Sequence, residues 1–171
     1  FEQYVGKFLQ QHWRSFKVVL QKRPLSLLQH RTREGQEFRL FNIQPDITII
    51  GKDFTVIGDT KWKILNEDKA NGSVKYGISQ SDIYQVLGYG YRYQHEGEKC
   101  QNLLLIYPYS PRLTEMLPPF KNYGKDGQLL NIWVIPFDFG IENNGKLPEG
   151  LVIGNNDCYF VDDADFAKLF L

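Results

Sequence analysis

Two carboxylates and an ammonium set the chemistry open to this sequence: Asp46, Asp59 and, one spacer later, Lys61. They lie within Pro45-Asp46-Ile47-Thr48-Ile49-Ile50-Gly51-Lys52-Asp53-Phe54-Thr55-Val56-Ile57-Gly58-Asp59-Thr60-Lys61: an acid, an apolar run, a turn, and a second apolar run that closes on acid, spacer, lysine. A hard divalent cation such as Mg²⁺ takes oxygen ligands, usually one or two carboxylates with several waters retained. Asp46 and Asp59 supply the carboxylates, and the backbone carbonyl of Thr60 adds a third oxygen if it faces inward. Lys61, close to the cation and to a scissile phosphate, would stabilise developing negative charge and help place the attacking water. Each residue alone has an ordinary use: Asp beside a turn is commonly solvated or turn-stabilising, and Asp-x-Lys on a strand is commonly an exposed ion pair. Asp59, however, follows the run Thr55-Val56-Ile57, so its strand is expected to be central, where an unpaired acid is costly.

The elements that must position these groups follow from periodicity. Asp46 to Ile50 and Phe54 to Trp62 favour strands, and Gly51-Lys52-Asp53 suits a short connection, so the stretch reads as a β-hairpin. A period of two places Ile57, Asp59 and Lys61 on one face and Val56, Gly58, Thr60 and Trp62 on the other. Antiparallel pairing about the turn then brings Asp46 to the Asp59 end.

Upstream, Phe1, Val5, Phe8, Leu9, His12, Trp13 and Phe16 recur near every 3.6 residues, which predicts an amphipathic helix over residues 1 to about 20. Pro24 blocks its continuation. Leu25 to Arg33 reads as a short strand or edge segment, and Phe38 onward as a strand running into Pro45. Downstream, residues 64–78 are polar and read as a mobile loop beside the site. Ser79 or Ser81 caps a helix running to about His95 and ended by Gly97, with Asp82 in its first turn. Leu103 to Tyr107 predicts a strand buried on both faces. Residues 110–127 read as an irregular excursion, Leu129 to Phe139 as a strand with Pro136 at its end or on an edge, and the tail from Leu151 as a short strand and a helix near residues 164–171. The order gives an α/β domain with a mixed central sheet flanked by helices, a single domain over residues 1–171.

Composition narrows the function. Lys+Arg and Asp+Glu both number 20, so the chain lacks the global positive charge that drives non-specific DNA binding. Any nucleic-acid surface must be local, with Lys17, Lys22, Arg23, Arg31, Arg33 and Lys63 as candidates, or a partner must deliver the substrate. Cys100 and Cys158 have no metal-site spacing, which fits a reduced cytoplasmic compartment. His12, His30 and His95 are scattered, which argues against a histidine-metal or histidine-activated nucleophile. Asp162, Asp163 and Asp165 read as a helix start rather than a metal site. No run reaches the length of a membrane span.

Pro45-Asp46 followed by Asp59-Thr60-Lys61 resembles the PD-(D/E)xK nuclease signature. The downstream Ser81-Asp82-Ile83-Tyr84-Gln85-Val86-Leu87-Gly88-Tyr89 resembles the Asp-x-x-Gln-x-x-x-Tyr helix of RecB-like members. With Phe1-Glu2-Gln3-Tyr4-Val5 leading in, the ensemble over about residues 1–108 is most similar to the nuclease domain of the McrC family, the cleavage subunit of modified-cytosine-dependent restriction systems. The resemblance implies a restriction-endonuclease-like fold, double-stranded DNA as substrate, Mg²⁺ as cofactor with Mn²⁺ able to substitute, and an McrB-like GTP-hydrolysing AAA+ partner. It implies Asp46 and Asp59 as metal ligands, Lys61 as the catalytic lysine, and Glu2 as a helix acid near the metal. Gln85 and Tyr89, one turn apart, would orient the site or touch the DNA backbone. The chain begins at Phe1 without a methionine, so a C-terminal fragment of a longer protein is expected, without the region that engages the partner in this family. The rival reading is a non-catalytic adaptor on the same fold that binds DNA or a partner ATPase, and a third is hydrolysis of another phosphoester such as RNA.

Overall fold

The structure, a computed structural model, describes residues 1–124, 127, 129–140, 150–154 and 163–170. It is a three-layer α/β arrangement on a seven-stranded mixed sheet. In chain order the elements are α1 (Glu2–His12), β1 (Lys17–Leu20), β2 (Leu25–Arg31), β3 (Glu37–Ile43), β4 (Ile47–Ile50), β5 (Thr55–Thr60), α2 (Gln80–His95), β6 (Cys100–Pro108), β7 (Phe120–Tyr123), β8 (Leu129–Asp138), β9 (Gly150–Leu151) and α3 (Asp163–Phe170). The main sheet runs β1-β4-β5-β6-β8-β7, with β9 also on β8, while β2 and β3 form a separate two-stranded sheet.

The strands that carry the site sit at the switch between antiparallel and parallel pairing. β4 is antiparallel to β5, and β5 is parallel to β6 across the α2 crossover. Side-chain alternation divides the core. Ile57, Leu103, Leu105 and Tyr107 face α2, with Val86, Tyr89 and Tyr93 packed over them. Val56, Leu104 and Ile106 face the other way, against Val5, Leu9 and Trp13 of α1 and Phe166 of α3. β6 is thus apolar at consecutive positions because both its faces are covered. α2 lies close on the sheet at Gly90, where a Cβ would meet Leu103 and Leu130 side chains at 3.0 Å.

Several expectations need correction. The first helix stops at His12, and residues 17–20 form a strand instead. The β-branched pair Val18-Val19 finds partners in Ile49 and Thr48 of β4, and that tertiary pairing overrides the helical stripe. Residues 110–127 contain β7, whose four residues Phe-Lys-Asn-Tyr show no apolar alternation strong enough to announce it. Pro136 lies inside β8 rather than at its end. Its carbonyl accepts from Val152 N on the side away from β6. The loop expected to be mobile is tied down: Leu65 and Ile78 are buried, Asn66 N bonds Tyr76 O, and Glu67 accepts from the Thr114 amide and hydroxyl at 2.9 Å. Cys158, Asp162 and the turn at residues 143–148 lie outside the described residues.

Candidate active site

The hairpin register explains why the two acids meet. β4 and β5 pair with Ile47 opposite Gly58 and Thr48 opposite Ile57, so one step past the last pair position 46 stands across from position 59. Both positions share the parity of Thr48 and Ile57, so both carboxylates lie toward α2. β4 begins only at Ile47, which leaves the end of β5 without a strand partner on that side. Asp46 fills the gap: its Oδ2 accepts the Thr60 amide and the Thr60 hydroxyl, each at 2.8 Å. The acid therefore fixes the terminus of β5 and with it the backbone that carries the Thr60 carbonyl. Pro45, buried just before it, suits this role because a proline cannot extend the ladder.

Asp59 is the buried member of the pair, at 1% exposure. Its Oδ2 pairs with the Lys61 ammonium, and its Oδ1 accepts from Gln85 Nε2 at 3.2 Å. The Gln85 amide is aimed by what surrounds it: Oε1 accepts from Lys61 Nζ at 2.9 Å, while Nε2 also donates to the Tyr89 hydroxyl at 2.7 Å. Only this orientation of the amide satisfies a cation on one side and two acceptors on the other. Tyr89 closes the chain by donating to the Gln44 carbonyl at 3.2 Å, which anchors the segment just before Asp46. Gln85 and Tyr89 are i,i+4 neighbours on one face of α2.

Electrostatics mark the same place. Burial pushes the Asp59 carboxyl up to about 6, against the pull of Lys61 and with a further push from Asp46 and Asp82. Asp46 is also raised, chiefly by burial, with Glu2 adding repulsion and the Thr60 bonds opposing it. Burial likewise raises the Tyr89 hydroxyl to about 12, so it serves as a neutral hydrogen-bonding group. Both carboxyls are held above their ordinary range, which marks a site short of positive charge that the half-buried Lys61 does not fully supply.

The structure therefore brings together Asp46, Asp59, Thr60, Lys61, Gln85 and Tyr89. Glu2 stands at the margin. Its Oε1 accepts from Gln21 Nε2 at 2.9 Å, and it acts on Asp46 through charge. Among the described residues no group of three or more His, Cys, Asp or Glu side chains is arranged to hold a metal ion. The donor set that fits a hard cation is thus two carboxylates and the Thr60 carbonyl, with the remaining positions left to water and substrate. Tyr89, at 3% exposure, is packed in the core, whereas Gln85 is exposed.

The basic candidates do not form one patch. Lys17 stands opposite Ile50 at the turn end of the hairpin, Lys22 pairs with Glu98 at 3.1 Å over the Tyr93 ring, and Arg31 is exposed on β2. One pairing escaped the sequence reading: the basic candidate Lys63 pairs with Asp82, and Tyr107 Oη donates to Asp82 Oδ2 at 3.1 Å. The available signal was the first residue of the Asp-x-x-Gln-x-x-x-Tyr pattern, which reads equally well as a helix-start acid. Ser79 does cap α2, accepting from the Asp82 amide.

Comparison with known proteins bears on the family and the fold. The family model described as McrBC 5-methylcytosine restriction system component matches residues 1–108, more than half of the chain. No curated protein matches the sequence. Among solved structures, the refined half-complex from a tetradecameric assembly of Thermococcus gammatolerans McrB AAA+ hexamers with bound McrC is similar in fold, with a TM-score of 0.53 at 12% identity. That likeness covers 81% of this chain and 27% of the matched chain, so the present chain spans about a quarter of its neighbour's length.

Proposed function

This chain belongs to the McrBC 5-methylcytosine restriction system component family, and from that premise we propose that it is the DNA-cleaving, McrC-like domain of such a system, a Mg²⁺-dependent endonuclease of the PD-(D/E)xK type. The observation that carries the reading is the apposition of Asp46 and Asp59 across the open end of the hairpin, with Lys61 paired to the buried acid.

Asp46, Asp59 and the Thr60 carbonyl would hold the cation. A bound divalent ion would supply Lewis acidity to the scissile phosphate and to the attacking water. The Asp46 side chain holds the β5 terminus in place, so the ligand oxygens need little rearrangement. In the absence of a cation, Lys61 neutralises Asp59. Once other positive charge serves that acid, the ammonium is available to negative charge developing on the phosphate, while Gln85 keeps it aimed at the site. Tyr89 and the Gln44 carbonyl brace Gln85 from behind.

The zero formal charge of the chain supports a division of labour in which an McrB-like GTP-hydrolysing AAA+ subunit delivers DNA and reads the modified base. The test is a cleavage assay on methylated and unmethylated plasmid, with partner subunit, GTP and Mg²⁺ supplied. Cutting of methylated plasmid by the wild-type complex, abolished in Asp59→Ala with the fold intact by circular dichroism, is expected. Cutting retained by Asp59→Ala would overturn the assignment.

A further inference from the structure

Past the end of β5 the chain continues Lys61-Trp62-Lys63, and neighbouring side chains part in opposite directions. Trp62 turns toward the α1 side, its ring 5.3 Å from that of Phe1. Lys61 and Lys63 both turn toward α2, where Lys61 meets Gln85 and Lys63 meets Asp82. Gln85 and Asp82 are three residues apart on one helical face, so the Cβ atoms of the side chains receiving the two ammoniums are roughly 5–6 Å apart. A duplex strand offers one phosphate per about 3.4 Å of axis, spread further by its winding. The two cations are therefore placed about one nucleotide step apart.

The Asp82 carboxylate is suited to hold a cation for use rather than merely to pair with it. Burial works against its charged form, but Lys63, Ser79 and the Tyr107 hydroxyl outweigh that and keep its carboxyl below the ordinary range. It is thus an anion fixed by several partners, with its side chain 10% exposed, whereas the Lys63 side chain is 33% exposed. Asp82 is also close enough to Asp59 to raise it, which puts the Lys63–Asp82 pair beside the acid pair rather than on a remote surface.

We propose that Lys63, positioned by Asp82, binds the phosphate next to the scissile one, so that Lys61 and Lys63 grip adjacent phosphates of the same strand. The proposal rests on the nuclease reading and adds to it a substrate-binding residue and a direction for the strand, along α2 from Gln85 toward Asp82. Lys63 contributes mainly to binding and register, and Lys61 to the chemical step.

The test measures binding of the chain to a short duplex by fluorescence anisotropy across a salt series, with Ca²⁺ replacing Mg²⁺ to prevent cutting. Because Lys63→Gln strands a buried Asp82, the double variant Lys63→Gln/Asp82→Asn, which keeps the pair neutral, is measured beside it, with thermal melts of both. Loss of one phosphate contact lowers the slope of log affinity against log salt by about 0.9. That decrease is expected in both variants, with restoration in Lys63→Arg and no change in Lys99→Ala at the far end of the hairpin. A wild-type slope in both variants, with wild-type cleavage in the reconstituted complex, overturns the proposal and leaves the nuclease reading standing. A wild-type chain that neither binds duplex nor cuts in the complex overturns both.

Discussion

The β4–β5 hairpin has an acid–lysine pair at each end, and the two pairs stand in opposite physical situations. At the turn, Asp53 lies 3.7 Å from Lys99 with side chains 63% and 74% exposed. At the open end, Asp59 and Lys61 are paired at 2% and 20% exposure, beside a second carboxylate. The first pair is screened by water and contributes little to stability. The second keeps a carboxylate out of water where its charge is disfavoured, so the fold maintains it against its own stability. The residue types are the same. What separates a solvated pair from a chemical site is burial and convergence, and both arise from register.

The largest expected contrast is in cleavage. Lys61→Met in the reconstituted complex should lower the rate by about a thousandfold, the scale of losing one preorganised charge from a transition state. Asp53→Asn and Lys99→Ala should leave the rate within about twofold. A plasmid-cutting time course measures all of them, and equal losses at the two ends would remove the distinction between the pairs.

The next contrast is in stability, and its sign is unusual. With its pKa raised to about 6 in the folded state from the ordinary value of 3.8, Asp59 binds a proton more tightly folded than unfolded. Its favourable contribution is complete below the unfolded value and is lost as pH rises through about 6. In metal-free buffer Asp59→Asn should therefore be more stable than wild type above pH 7, by about 2–3 kcal/mol at most. The difference should disappear near pH 4. Melting curves across pH check this, and Asp53→Asn should show no such gain.

A smaller effect is expected behind the site. Gln85→Ala leaves Lys61 and Tyr89 without their shared partner and should lower cleavage by about tenfold with little change in melting temperature, on the scale of a lost orienting hydrogen bond. Tyr89→Phe keeps the ring in the core and removes only the bonds to Gln85 and the Gln44 carbonyl, so a loss of about 1 kcal/mol in stability and a few-fold in rate should follow. A Tyr89→Phe defect as large as that of Lys61→Met would mean that the brace has a direct part in the reaction.

Much of this was legible in the sequence where local pattern and global packing agree. The alternation through Val56, Ile57, Gly58 and Asp59 located the acid on the same face as Ile57 and Lys61, and turn residues Gly51 to Asp53 set the hairpin that brings Asp46 across to it. The α2 span was readable from the Ser79 cap and Gly97. Pattern failed where tertiary partners decided the outcome. Val18-Val19 extend an apolar stripe yet form an edge strand because β4 is there to pair with them. β7 is too short and too polar to announce itself. The pairing of β2 with β3 in a sheet of their own, apart from the β4–β5 hairpin they lead into, has no local signature. Nor could composition distinguish Asp82 from an ordinary helix-start acid, since its role depends on Lys63 and Tyr107, which arrive from a loop and from β6.

In the function proposed, the open end of the hairpin is a divalent-cation site and the turn end is not. Calorimetric titration of Mn²⁺ into the wild-type chain and into Asp46→Asn, Asp59→Asn and Asp53→Asn tests it most directly. Saturable binding by wild type and Asp53→Asn, lost in Asp46→Asn and Asp59→Asn, is expected. Binding that survives both of the latter substitutions, or no binding by wild type at millimolar Mn²⁺, would contradict it.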